Sequence, residues 1–122
     1  MIFQHKGLIC TFSKGRKNMS LDYGDTRDAL SNRQTFLNSL NVDYTALVCA
    51  KQVHGTKVSY VTEIDRGKGA LSGKEALTDT DALITDKKNL PLGIFTADCL
   101  SVFVFDPLHS SIANIHAGWR ST

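Results

Sequence analysis

Residues 92–107 read LGIFTADCLSVFVFDP, and this stretch decides how the fold is interpreted. Two short runs rich in β-branched and aromatic residues, LGIFT and SVFVF, lie on either side of Cys99, the last residue of the tetrapeptide TADC, and the second run is followed by Asp-Pro. Runs of this length and composition, bounded by turn residues, are typical of β-strands. The stretch therefore predicts two apolar strands, with Cys99 at a kink or bulge between them.

The same pattern extends outward in both directions. Further strands are predicted at LICTFS (8–13), TALVCA (45–50), KVSYV (57–61), DALIT (81–85) and SIANI (111–115), with a long polar loop at 63–80. One helix is predicted from a cap at Asp25 or Thr26 to Asn41, because its apolar residues follow a period near 3.6: Ala29, Leu30, Phe36, Leu37 and Leu40. We expect an α+β fold, with strands dominating the C-terminal two-thirds, in a single domain over residues 1–122.

Composition and charge exclude several classes of protein. The 122 residues are 42% hydrophobic and 21% charged, the make-up of one globular domain. The net charge of +2 comes from 14 basic and 12 acidic residues without any block of like charge, so no nucleic-acid or membrane partner is expected. No apolar run reaches the roughly 18 residues of a membrane span, and the first residues lack a signal-peptide pattern, which predicts a cytoplasmic protein. Three widely spaced cysteines predict reduced thiols.

Three residues at predicted strand ends are candidates for chemistry. His54, in QVHG, is expected at a bend to which Gly55 gives backbone freedom. Cys99 follows in TADC, and His116, in HAGW, is expected just beyond the last strand. Two imidazoles and a thiolate suit zinc, and three protein ligands leave a fourth position for water or substrate. The spacing matches no compact zinc-finger pattern, so the alternative is that all three are ordinary core or rim residues.

A cysteine hydrolase is a second interpretation of the same residues. Cys99 would be the nucleophile and His116 or His54 its base. A third group would then orient the base, and the candidates are Asp81, Asn114 and Asp98.

Copper and a non-catalytic role complete the alternatives. A blue-copper centre also uses two histidines and a cysteine, with a weak axial methionine for which Met1 and Met19 are the candidates. Four histidines are too few for a multicopper cluster, so copper is less favoured than zinc. The other two histidines, His5 and His109, are expected to be solvated. A folded remnant or interaction module without catalysis is the third class of function.

Four segments, in this order, resemble the YfiH/laccase-domain family, whose members are regarded as purine nucleoside phosphorylases: KQVHGTKV, TDTDALIT, LGIFTADCLSVFVFDP and IANIHAGWR. The N-terminal FSKGRKNMSLDYGD and NRQTFLNSL resemble the family's loop and first helix, so the resemblance covers nearly the whole chain. It implies a layered α/β/β/α fold of mixed β-sheets with flanking helices. It also implies that His54, Cys99 and His116 are the ligands of a zinc ion.

The resemblance implies a reaction as well: phosphate-dependent cleavage of adenosine, inosine or methylthioadenosine to a free base and ribose 1-phosphate, with adenosine deamination as an associated activity. A purine nucleoside and phosphate are then the expected partners, and phosphate needs an anchor. Arg120, close in sequence to His116, and Arg16, in the N-terminal loop, are the candidates; each is otherwise a surface arginine. Asp81 either orients a ligand or binds a ribose hydroxyl, and Trp119 is a candidate for stacking on the purine.

Members of this family are longer than this chain and contain further strands and helices. The resemblance therefore implies a domain that is incomplete at its C-terminus, with exposed strand edges and apolar surface. We expect such edges to favour self-association, and the 122-residue chain to be poorly active by itself.

Overall fold

The computed structural model describes residues 2–120 and has the predicted α+β architecture. The one α-helix and eight strands of this range are β1 (Ile2–His5), β2 (Leu8–Thr11), α1 (Thr26–Asn38), β3 (Val48–Cys49), β4 (Val58–Tyr60), β5 (Ala82–Thr85), β6 (Leu92–Gly93), β7 (Leu100–Asp106) and β8 (Ser111–Ala117). Short 3₁₀ turns lie at Tyr44–Ala46, Glu63–Asp65 and Gly73–Glu75.

The strands form mixed sheets, as expected. A four-stranded sheet has the order β4-β5-β8-β7, in which β4 and β5 are parallel and the other two pairs are antiparallel. Strands β3 and β6 form a parallel pair, and β1 and β2 form an antiparallel hairpin. Strand β8 is therefore central in the largest sheet, and β4 and β7 are its edges.

Helix α1 begins where the sequence predicts and ends three residues before the predicted Asn41. The side chain of Asp25 accepts a hydrogen bond from the Arg27 backbone N–H at 2.8 Å, which satisfies one of the free donors of the first turn. Regular helix ends at Asn38, and Asn41 then takes a left-handed conformation with φ 56°. The Val42 N–H returns to the Leu37 carbonyl at 3.0 Å, so the predicted stop at Asn41 is the turn that closes the helix.

Two apolar clusters form the core. The first contains Val48, Val61 and Leu83, all fully buried, and lies between β3 and the large sheet. The second contains Leu47, Cys49 and Ala70, with Leu37 of helix α1 and Phe95 packed against it. Ala70 belongs to the polar loop at 63–80, so part of this loop lies in the core.

A buried arginine joins helix α1 to that loop. Arg33 is 3% exposed, and its guanidinium donates to the carbonyl oxygens of Met19, Gly69 and Ala70 at 2.6, 2.8 and 2.7 Å. Its Cζ atom also lies 4.6 Å from the centre of the Phe95 ring. The helix is therefore attached by hydrogen bonds as well as by its apolar side chains.

Two predicted strands keep only two residues each. Residues 45–50 begin as a 3₁₀ turn, because the Asp43 carboxylate accepts from both the backbone N–H and the hydroxyl of Thr45 and so favours a turn. The predicted strand at 92–96 keeps only Leu92–Gly93, since Phe95 bonds instead to the side chain of Gln52.

The edges of the large sheet carry exposed apolar side chains. Val58 and Tyr60 on β4, and Leu100 and Val104 on β7, are each about half exposed or more. No helix among residues 2–120 is both long and apolar enough to cross a membrane.

Candidate metal centre

The structure brings His54, Cys99 and His116 together. One ligand atom from each residue lies within 4.8 Å of the ligand atoms of the other two. His54 is in the bend after β3, Cys99 is in the bend that leads from β6 into β7, and His116 is within β8. Three segments that are far apart in sequence therefore converge on one point.

Two local predictions about these residues were wrong. His116 lies inside the last strand, because β8 continues to Ala117 and pairs with β7 up to Leu100, which places Ser101 opposite His116. At the bend, the left-handed backbone belongs to His54 itself, with φ 59°, and Gly55 does not adopt it. A non-glycine residue in this conformation is strained and must be held by its surroundings.

Asp81, the residue before β5, holds both histidines. Its carboxylate accepts hydrogen bonds from Nδ1 of His116 at 2.8 Å and from the backbone N–H groups of Val53, His54 and Gly55 at 3.2, 2.9 and 2.8 Å. Burial opposes ionisation of this carboxyl, but the hydrogen bonds from His116 and from the three N–H groups outweigh it and lower the pKa of Asp81. Because Asp81 is 2% exposed and both oxygens are engaged, this geometry favours orientation of a ligand over contact with ribose.

Gln52 connects the His54 segment to the Cys99 segment and was missed by the sequence reasoning. Its side-chain amide donates to the Phe95 carbonyl and accepts from the Phe95 N–H, both at 2.8 Å. The two bonds replace the strand pairing that would otherwise continue β6. The available signal was the position of Gln52 inside KQVHG, two residues before His54.

Gly118 provides the space that the two histidine rings need. A Cβ atom at this position would lie 2.9 Å from Cδ2 of His54 and 3.7 Å from Cε1 of His116. The ring centres of the two histidines are 4.8 Å apart, with their planes at 77°. Any larger residue at 118 would push the His54 ring away from this arrangement.

The donor set fits a metal ion. Two imidazole nitrogens and one sulfur are the ligands of a borderline-soft ion, and bond lengths of about 2.0–2.3 Å require ligand atoms that are close neighbours, as they are here. His116 is held by a carboxylate on its other nitrogen, the arrangement that commonly orients metal-binding histidines. The group of His54, Cys99 and His116 can therefore hold a metal.

The predicted anion-binding arginines lie outside this group. Arg16 is exposed in the loop between β2 and α1, and Arg120 follows β8 with its Cζ atom 4.9 Å from the Trp119 ring centre. Across residues 2–120, neither arginine donates to Asp81 or to the three candidate ligands. Trp119 is 79% exposed, and the Arg120 guanidinium lies over one face of its indole ring.

The other candidates have separate roles. The Asn114 side chain bonds to Ser101 and to the Leu92 carbonyl, so it joins strands and does not contact a histidine ring. Asp98 is exposed in the bend that contains Cys99. The backbone carbonyl of Met19 accepts a hydrogen bond from Arg33. His5 and His109 are exposed, as expected. Met1, a copper candidate, lies outside the described residues.

Comparison with known proteins shows the family to which the chain belongs. The family described as multi-copper polyphenol oxidoreductase laccase matches residues 2–122. The chain is 40% identical over 95 residues to purine nucleoside phosphorylase YlmD of Bacillus subtilis. The aligned residues cover 78% of this chain and 34% of that protein. It is also 34% identical over 98 residues to adenosine deaminase RL5 from an unknown prokaryotic organism. That alignment covers 80% of this chain and 37% of that protein.

A solved structure shares the fold. The hypothetical protein YfiH of Bacillus licheniformis superposes with a TM-score of 0.82 at 36% identity, over 84% of this chain and 39% of that one. The chain thus belongs to the laccase-like family that includes the YfiH and YlmD proteins. It spans between a third and two fifths of the length of these relatives.

Proposed function

We propose that this chain carries the zinc centre of a purine nucleoside phosphorylase with an associated adenosine deaminase activity. The observation that carries the proposal is the convergence of His54, Cys99 and His116 within 4.8 Å. The relatives support the choice of substrate, since one is named a purine nucleoside phosphorylase and another an adenosine deaminase. The donor set supports zinc, because imidazole nitrogen and thiolate sulfur are both preferred zinc ligands and three of them leave a fourth position for water or substrate.

Phosphorolysis makes defined demands on the protein. A phosphate oxygen forms a bond to C1′ of the ribose while the bond from C1′ to the purine nitrogen breaks, and the departing base takes up a proton. Positive charge develops on the ribose, so the two reactants must be held in place and water kept out. A zinc ion bound by His54, Cys99 and His116 would supply Lewis-acid polarisation of an oxygen atom.

The chain's own residues meet part of these demands. Asp81 keeps His116 oriented through Nδ1, so this ring presents its other nitrogen to the metal. The exposed guanidinium of Arg120 and, in the N-terminal loop, that of Arg16 are suited to phosphate by charge and by their planar donors. The indole face of Trp119 is suited to stacking on a purine.

Metal analysis and an inosine assay test the proposal together. We expect about one zinc per chain, and loss of zinc on Cys99→Ser together with a decrease of about 100-fold or more in phosphate-dependent release of base from inosine. Cys10→Ser is the matched control, because Cys10 is also a half-buried free thiol but lies on β2, outside the metal group. Arg120→Ala should chiefly raise KM for phosphate. Unchanged zinc content and activity in Cys99→Ser would exclude the proposed centre.

The length of the chain decides which of the two measurements comes first. Because it covers 34–39% of the relatives cited above, the 122-residue chain is expected to turn over slowly by itself, and zinc content is the primary measurement. Turnover by the isolated chain as fast as that of a full-length relative would contradict this expectation.

A cysteine hydrolase is the second candidate, because the hydrogen bond from His116 to Asp81 also fits a Cys-His-Asp arrangement. A nucleophilic cysteine needs one base, whereas two histidines face Cys99, which favours the metal. Labelling of Cys99 by a thiol reagent separates the two. Protection by added zinc supports the metal centre, and labelling that zinc does not alter supports the hydrolase.

A further inference from the structure

The carboxylate of Asp81 is the meeting point of the two histidines. Oδ1 accepts from both Nδ1 of His116 and the backbone N–H of His54, and Oδ2 accepts from the N–H groups of Val53 and Gly55. Residues that lie 26 to 35 positions from Asp81 in the sequence therefore share one buried acceptor. A single side chain controls the orientation of two of the three candidate metal ligands.

For His116, Asp81 sets the tautomer. An ionised carboxylate can only accept hydrogen bonds, so the proton must be on Nδ1 of His116, and Nε2 keeps its lone pair free. The backbone adds a second constraint, since the His116 N–H donates to the Asp81 carbonyl at 2.7 Å. Both the rotation and the tautomer of the ring are therefore set.

For His54, Asp81 sets the backbone. Three consecutive N–H groups, those of residues 53–55, point at the same carboxylate while His54 has φ 59°. This conformation is unfavourable for a residue with a Cβ, and the three hydrogen bonds hold it. The ring of His54 is then placed against Gly118, where no Cβ blocks it.

From these contacts we infer that Asp81 is a positioning residue that orients His54 and His116 jointly, so that both rings present a coordinating nitrogen towards Cys99. The inference rests on the proposed function, because the two oriented rings share a role only if a metal binds there. The tautomer of His116 and the backbone conformation of His54 can be measured without metal. Asp81 acts through the histidines and does not contact the substrate.

Asp81→Asn tests the inference with little change in shape. An amide has one acceptor atom and one donor atom, so its NH₂ group must face either His116 and the His54 N–H, or the N–H groups of Val53 and Gly55. Asp106→Asn is the matched control, because Asp106 also holds a histidine, accepting from His109 at 2.6 Å, but on an exposed turn.

The first measurement is nitrogen NMR of the histidine rings in the metal-free 122-residue chain. In the wild type we expect His116 to be protonated at Nδ1. In Asp81→Asn we expect this tautomer to be lost or mixed if the NH₂ group faces His116, and the backbone amide signals of Val53 and Gly55 to shift if it faces them. Wild-type His116 protonated at Nε2 would overturn the inference, and this outcome needs no variant to fold. An Asp81→Asn variant in which both the ring and these backbone amides are unchanged would overturn it as well.

The second measurement is titration with Co²⁺, whose absorption bands report the geometry of the bound ion. We expect Asp81→Asn to bind Co²⁺ about 10- to 100-fold more weakly, with altered bands, and Asp106→Asn to match the wild type. Equal affinity and equal bands in Asp81→Asn and the wild type would overturn the inference. Failure of the wild type to bind Co²⁺ or Zn²⁺ would instead overturn the proposed function, and the ring tautomer would then decide the inference alone.

Discussion

At the scale of single residues, the three cysteines have three different environments although all are free thiols. Cys99 belongs to the metal group, Cys10 is half-buried on β2, and Cys49 is 2% exposed in the second core cluster. Burial raises the pKa of Cys49 to about 11, although the nearby Arg33 guanidinium opposes the shift. The cysteine spacing predicted reduced thiols, but it did not separate a core thiol from a candidate ligand, because burial is decided by distant segments.

The raised pKa of Cys49 makes stability fall at alkaline pH. The thiol loses its proton near pH 9.0 in the unfolded chain and near pH 11 in the folded one, so its contribution is complete below pH 9.0 and is lost between these values. The difference corresponds to about 3 kcal/mol in the free energy of unfolding. Urea unfolding of the wild type and Cys49→Ala at several alkaline pH values should show a smaller decrease in the variant. Two parallel pH curves would contradict this account.

At the scale of elements, helix α1 shows which features a periodic pattern predicts and which it does not. The pattern predicted its cap and an apolar face on which Ala29 is fully buried, and it placed the helix end three residues too late. It did not predict that Arg33 would be buried in the same face, because an arginine is normally assigned to solvent. The signal was present in the spacing, since Arg33 is four residues after Ala29 and four before Leu37.

Replacement of Arg33 should therefore weaken the attachment of helix α1. Arg33→Met leaves the carbonyl oxygens of Met19, Gly69 and Ala70 without this donor, and we expect the free energy of unfolding to fall by about 3 kcal/mol. Urea denaturation measures the change. Arg27→Met, on the same helix with a side chain 89% exposed, should have little effect. Similar losses in the two variants would show that the buried hydrogen bonds are not the cause.

At the scale of the whole molecule, the motifs single out the candidate ligand residues, but they do not predict the strand pairing that brings them together. The motifs around His54, Cys99 and His116 singled out the residues that now lie together. The parallel pairing of β3 with β6 and of β4 with β5 joins segments that carry no local signal for each other. The bonds made by Asp81 and Gln52 follow from that pairing, which is why a sequence shows these two residues only as polar positions near a motif.

This assembly predicts that a bound metal stabilises the whole fold. The three candidate ligands come from the bend after β3, the bend before β7 and the centre of the large sheet, so one ion links segments that otherwise separate on unfolding. Zinc at about 100 times its Kd adds about 2.7 kcal/mol, which for a domain of this size raises Tm by about 10 °C. Thermal unfolding followed by circular dichroism, with zinc and then with a chelator, measures the shift. Mg²⁺ prefers oxygen ligands and should leave Tm unchanged, and Cys99→Ser should lose most of the zinc response. A zinc shift of equal size in Cys99→Ser and the wild type would mean that the ion binds elsewhere on the chain.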